Sequence, residues 1–113
     1  MITVRPHMKI LITPETFNRL HCLRGEKKFL EESFYPGAPT EKIRVESERR
    51  VNDFLDDAIL LLQRGAEKHD LFTRARKLIR TFDKEDTEER EKVGDYIGGT
   101  MRIIGIEDWT EHL

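Results

Sequence analysis

Three carboxylates come nearest to an arrangement that could do chemistry. Asp53, Asp56 and Asp57 fall at i, i+3 and i+4, so a helix places them on one face. Convergent carboxylates hold divalent metals or exchange protons with a substrate. In a helical bundle such a site draws a second ligand set from another helix, as Glu-x-x-His pairs do in di-iron proteins. The chain contains no Glu-x-x-His. The triad therefore reads as a solvated acidic face paired with Arg49, Arg50 and Arg64, and no metal or cofactor is expected. His7, His21, His69 and His112 stand in no metal-ligand spacing. His21 neighbours Cys22, but adjacent residues on a helix point about 100° apart, which rules out a Cys–His couple there. Cys22, the single cysteine, reads as a small, partly buried side chain, and it cannot form an intrachain disulfide. No Gly-x-Ser-x-Gly, phosphate-loop or dinucleotide-binding pattern occurs. An enzyme is not expected. Were there one, Tyr35 and the Asp53–Asp57 face would be its place.

Charge says more about binding. The chain has 113 residues with 20 Lys+Arg and 22 Asp+Glu, a formal net charge of −2. That near-neutral total hides a separation. Residues 66–82 carry Lys68, Arg74, Arg76, Lys77 and Arg80 against Glu67 and Asp70, a local +3. Residues 83–113 carry four bases against ten acids, a local −6. The basic band is a candidate nucleic-acid surface through Arg74, Arg76, Lys77 and Arg80, but the acidic segment that follows repels phosphates. The acidic end is a candidate surface for a basic protein partner. Its residues are Asp86, Glu88, Glu89, Glu91 and Asp95, with Tyr96 or Trp109 as aromatic anchors.

The elements that must carry these residues read as helices. Thr13-Pro14-Glu15 is a helix start, with Thr13 as cap and Pro14 at the first helical position. Phe17, Leu20, Leu23, Lys27, Leu30 and Phe34 then recur at helical spacing, with the stem of Lys27 along the face and Gly25 interrupting. The spacing predicts one kinked helix or two short ones, ended by Tyr35-Pro36-Gly37-Ala38-Pro39. Thr40 caps a second helix with a stripe through Ile43, Ser47, Val51, Phe54, Ala58, Leu61 and Leu62, stopped at Gly65. Its Ile59–Leu62 end is apolar on nearly all sides and is expected to be central. A third helix faces inward through Leu71, Ala75, Leu78, Ile79 and Phe82. A fourth, with an Asp86/Glu89 capping box, carries Val93, Tyr96, Ile97, Thr100, Met101 and Ile104 and exits through Gly105. Gly94, Gly98 and Gly99 inside it cost helix propensity and imply tight packing, with a contact surface or a hinge as the alternative. No strand is expected beyond a short extended Met8–Ile12.

The result is an all-α chain, a small bundle of four or five helices with short loops, forming one domain over residues 1–113. Residues 1–7, before Met8, read as a cloning-site remnant or an unstructured leader. No segment approaches the ~20 apolar residues of a membrane span.

Lys28-Phe29, then Phe34-Tyr35-Pro36-Gly37, and Ile103-Ile104-Gly105-Ile106-Glu107 near the C-terminus resemble a family of small, uncharacterised bacterial helical proteins, a domain of unknown function. The resemblance covers residues 9–107. It implies a bacterial source and a helical fold, and it brings no catalytic residues. The expected function is a cytoplasmic protein–protein interaction module, an immunity protein that neutralises a toxin through the acidic surface. The alternatives are a nucleic-acid-associated regulator and an enzyme. A homodimer stays open as a second kind of protein partner.

Overall fold

The structure, a computed structural model, describes residues 12–82 and 87–113. Among them lie four α-helices and a closing 3-10 turn: α1 (Pro14–Gly25), α2 (Glu41–Gln63), α3 (Lys68–Arg80), α4 (Thr87–Ile104) and Trp109–His112. The all-α bundle is as the periodicity requires. No strand occurs among the described residues, only an isolated bridge between Glu32 and Tyr35. Residues 1–7, most of Met8–Ile12, and Asp86 of the expected capping box lie outside the described residues.

Cap chemistry sets most of the helix ends. The Thr13 hydroxyl accepts from the Thr16 amide, with Pro14 at the first helical position. The Thr40 hydroxyl accepts from the Ile43 amide at 3.1 Å. At the exit of α4, Gly105 takes a φ of 94°. The Ile106 amide then donates to Met101 O at 2.8 Å and the Gly105 amide to Arg102 O at 3.2 Å, while Ile106 is buried. This is a Schellman closure with its hydrophobic contact. Gly65 ends α2 with the same pair of bonds, from Ala66 to Leu61 and from Gly65 to Leu62.

α2 packs on α1, α3 and α4, and α4 also touches α1 and α3, so α2 and α4 are central. Val51, Leu55 and Ala58 of α2 meet Leu71 and Ala75 of α3 and Val93, Ile97 and Met101 of α4 in one core, with Leu20 from α1. Leu60 departs from the expected all-round burial: it is half-exposed, while Ile59 and Leu62 are buried. Three neighbours cover only part of the circumference of α2.

The largest departure follows α1. Residues 26–40 form no helix. The three-and-four spacing of Lys27, Leu30 and Phe34 was therefore coincidental: Lys27, Leu30 and Phe34 are exposed, and Lys28, Phe29 and Tyr35 are buried. The chain leaves α1 after Gly25 because Lys28 turns back to cap it. Lys28 is 1% exposed, and its ammonium donates to Leu23 O (2.7 Å), Glu26 O (2.9 Å) and Arg24 O (3.2 Å). A cation on the carbonyls at the negative end of a helix is a favourable C-terminal closure. Cys22 is exposed, against the expectation of partial burial. It lies two residues from buried Leu20, about 200° around α1.

The helix glycines also divide. A Cβ on Gly98 would stand 3.0 Å from Trp109 Cζ2, whereas one on Gly94 or Gly99 would meet nothing within 4 Å. Tight packing therefore accounts for Gly98 and not for its two companions.

Lys28→Met keeps the buried stem and removes the ammonium, and it should lower the unfolding free energy by about 2–3 kcal/mol. Lys27→Met should change it by less than about 0.5 kcal/mol, and urea denaturation of both variants checks this. Gly94→Ala and Gly99→Ala should each stabilise by about 0.5–1 kcal/mol. Gly98→Ala should instead displace the Trp109 ring, read as a change in its near-UV circular dichroism.

Candidate interaction surface

The segment between α1 and α2 is held by bonds from two helices. After Lys28, Phe29 adopts a φ of 62°, the only non-glycine residue with positive φ among those described. A left-handed phenylalanine costs about 1–2 kcal/mol. Its surroundings offset that cost. The Phe29 ring is buried and lies 6.0 Å from Phe82 in a stacked pair, 5.1 Å from Tyr96 and 6.4 Å from Tyr35. Its amide donates to the Tyr96 hydroxyl at 2.8 Å. One residue earlier, the Lys28 amide donates to Glu48 Oε1 at 2.7 Å, and Arg44 Nη1 donates to the Lys28 carbonyl at 3.2 Å. Side chains of α2 and α4 thus satisfy a loop backbone that has no sheet to pair with.

The loop then closes on itself. The Ala38 amide donates to Phe29 O at 3.1 Å, and inside that ring Glu32 and Tyr35 exchange two backbone bonds, at 2.8 and 3.2 Å. Gly37 makes the return possible: its φ is 86°, and a Cβ there would stand 3.1 Å from the Glu31 amide nitrogen. The result is a two-residue hairpin with Ser33 and Phe34 at its tip. Phe34 is fully exposed, at 103%, beside buried Tyr35.

Two contacts fasten the hairpin to α4. The Tyr35 hydroxyl donates to Glu89 Oε2 at 2.7 Å, and Lys92 Nζ donates to Glu32 Oε2 at 2.5 Å. The Lys92 ammonium lies 5.6 Å from the centre of the Tyr35 ring and 5.4 Å from that of Tyr96. On the outer side of these contacts Glu88, Glu91 and Asp95 form an exposed stripe along α4. Asp95 reaches Lys92 only at 3.8 Å, with three-quarters of its side chain exposed. Glu32, Ser33, Phe34, Tyr35, Lys92 and Asp95 line an open recess of about 510 Å³.

The residues proposed from sequence for a partner surface thus fall into separate roles. Glu88, Glu91 and Asp95 face outward together. Glu89 is buried and holds Tyr35, and Tyr96 is half-buried with its hydroxyl engaged by Phe29. Trp109 is half-buried with its ring over Gly98. Asp86 is outside the described residues. The helical spacing of Phe34 from Leu30 masks its place in a turn. The Tyr35-Pro36-Gly37 run beside it was the available signal, since Pro-Gly marks a turn.

The other candidates disperse. Asp53 pairs with Arg49 at 2.9 Å and Asp56 with Arg24 at 3.0 Å, so two of the three carboxylates of the α2 triad are held by arginines. Arg74 and Lys77 of the basic helix share a groove of about 480 Å³ with Asp53, Asp56 and Asp57. Arg76 donates to His112 O at 2.7 Å. Asp108, Glu111 and His112 form a trio of possible ligands within 4.8 Å, but Lys68 stands 3.7 Å from Asp108 and the His112 ring stacks on Phe72. No described helix is long and apolar enough to cross a membrane.

Taken together, the fold and this surface define a small helical protein with a core-anchored hairpin beside an acidic helix face. The family model for the domain of unknown function DUF4844 matches residues 11–113, and the chain belongs to that family. No curated protein and no solved structure matches it.

The two tyrosines make the hairpin anchorage testable by pH. Burial, with its hydrogen bond to Glu89 next in weight, pushes the Tyr35 phenol well above its usual range. Burial pushes Tyr96 up to about 12, against the lowering effect of the Phe29 amide. Free tyrosine ionises near pH 10. The unfolded chain therefore loses these protons first, and the stability they contribute is complete below about pH 10 and drains as pH rises toward about 12. Absorbance titration should show little phenolate at pH ~10–11 while the helices persist. Ionisation of both tyrosines near pH 10 with full helicity would contradict the anchorage.

Proposed function

We propose that this chain is a protein-binding module, and more narrowly an immunity protein that neutralises a toxin in the cytoplasm of the producing cell. One observation supports the reading most. Glu88, Glu91 and Asp95 project from the same face of a central helix whose inner side is fixed in the core, so their charge is presented in a rigid array. An ordered acidic surface accelerates encounter with a basic protein and penalises wrong partners. It needs no catalytic group, and two of the three carboxylates that the sequence offers for catalysis, Asp53 and Asp56, are engaged by arginines on a different part of the bundle.

A nucleic-acid role is weaker on physical grounds. A phosphate approaching Arg74 or Lys77 also approaches Asp53, Asp56 and Asp57 in the same groove. Their repulsion offsets much of the attraction that generic backbone binding depends on.

The test is genetic and then kinetic. A gene beside this one should encode a toxin, and production of this chain should protect cells from it. With the purified pair, Glu91→Lys with Asp95→Lys should slow association by about tenfold or more at low salt, with a smaller effect at high salt. A neighbourhood without a toxin, together with no protection, would overturn the immunity reading. Salt-sensitive retention on heparin would favour the nucleic-acid reading.

A further inference from the structure

We propose that Phe34 is a docking anchor: it inserts into an apolar slot on a protein partner whose rim is rich in lysine and arginine. The proposal rests on the protein-binding reading above and assigns its hot spot. Single exposed apolar side chains are ordinary, and exposure alone would carry nothing. What distinguishes Phe34 is its mounting. It occupies the tip of a two-residue turn whose flanks, Glu32 and Tyr35, are joined by two backbone bonds. Both flanks are fastened to α4, Glu32 through Lys92 and Tyr35 through Glu89. The loop behind them is closed from Ala38 to Phe29 and held by the buried Phe29 ring. A large ring is thus held in water on a turn that is ordered before any partner arrives. Most of the ordering cost of a docking loop is already met by folding, so burial of the ring would register as affinity.

The surroundings choose the occupant. Glu32 and Asp95 line the recess beside the ring, Glu31 is exposed next to Glu32, and Glu88 and Glu91 continue the acidic stripe. The one base in the recess, Lys92, is nearly buried and bonded to Glu32. Lys92 also lies 3.8 Å from Asp95, which leaves the recess one net negative charge beside the acidic stripe, so a partner that covers Phe34 gains by bringing cations to this rim. An anionic lipid surface would be repelled, and a second copy docking by the same face would set acid against acid. A basic protein surface with an aromatic-sized slot fits both features. Aromatic side chains central to an interface and ringed by polar groups commonly dominate its energy.

The test uses the full chain carrying a photoreactive phenylalanine analogue at position 34, at position 91, or at half-exposed Leu60, in the cells that produce it. Labels at 34 and 91 should give the same discrete protein adduct, and the label at 60 should not. With that partner purified, Phe34→Ala should weaken binding by about thirtyfold and Phe34→Leu by much less. Raised salt should weaken binding further. The melting temperature of Phe34→Ala should equal that of the parent chain, because the ring touches no core. A partner labelled from 91 but not from 34, or one whose affinity ignores Phe34→Ala, would overturn the anchor and leave the acidic-surface reading standing. Lipid adducts or self-adducts at 34 would overturn it in favour of a membrane or a homodimer. No adduct from either 34 or 91 would overturn both readings.

Discussion

A lysine ammonium buried against the end of a helix is the constraint on which the rest of the molecule turns. Burial lowers the affinity of Lys28 for its proton, with the nearby carboxylates of Glu48 and Glu26 acting in the opposite sense. The charge is tolerated because three backbone carbonyls at the exit of α1, those of Leu23, Arg24 and Glu26, accept from it. That arrangement has a geometric consequence. With its side chain directed back under α1, the backbone at Lys28 must leave the helix and cross the bundle, where Glu48 and Arg44 receive it. Phe29 then enters the core with left-handed backbone, and the hairpin follows.

One network therefore does two things. It ends a helix that the hydrophobic spacing would have continued, and it converts the following residues into a platform fixed to α4. Tyr35, Glu89, Lys92 and Glu32 look like surface chemistry in the sequence, yet in the fold they form the seam between hairpin and helix. The charge that faces solvent lies on the outer side of that seam. This is why the acidic stripe is narrower than the acidic sequence: some of its carboxylates work inward.

Helix capping and periodicity were readable where local physics decides. Thr13, Pro14, Thr40, Gly65 and Gly105 each act through their own backbone and near neighbours, and each sits where its chemistry put it. The inward stripes of α2, α3 and α4 were equally legible, since a face with several apolar residues has few alternatives. The segment after α1 was not, because its conformation is set by partners 16 to 67 residues away in sequence, from Arg44 to Tyr96. A long-range hydrogen bond leaves no periodic trace. Phe34 was misplaced for the same reason, and Leu60 because apolar composition does not state how many neighbours a helix has. The candidate surface was legible as charge, through Glu88, Glu91 and Asp95, and illegible as shape.

Hydrogen exchange of individual amides in the native protein tests the central claim most directly. If the Lys28–Phe29 node belongs to the core, the amides of Lys28, Phe29 and Tyr35 exchange only on global unfolding. Their protection then matches that of Leu55 and Ile97, although they lie in a segment without helix. Exchange of those three amides at rates close to an unstructured peptide, with α2 and α4 still protected, would show that the loop opens independently and would contradict the account.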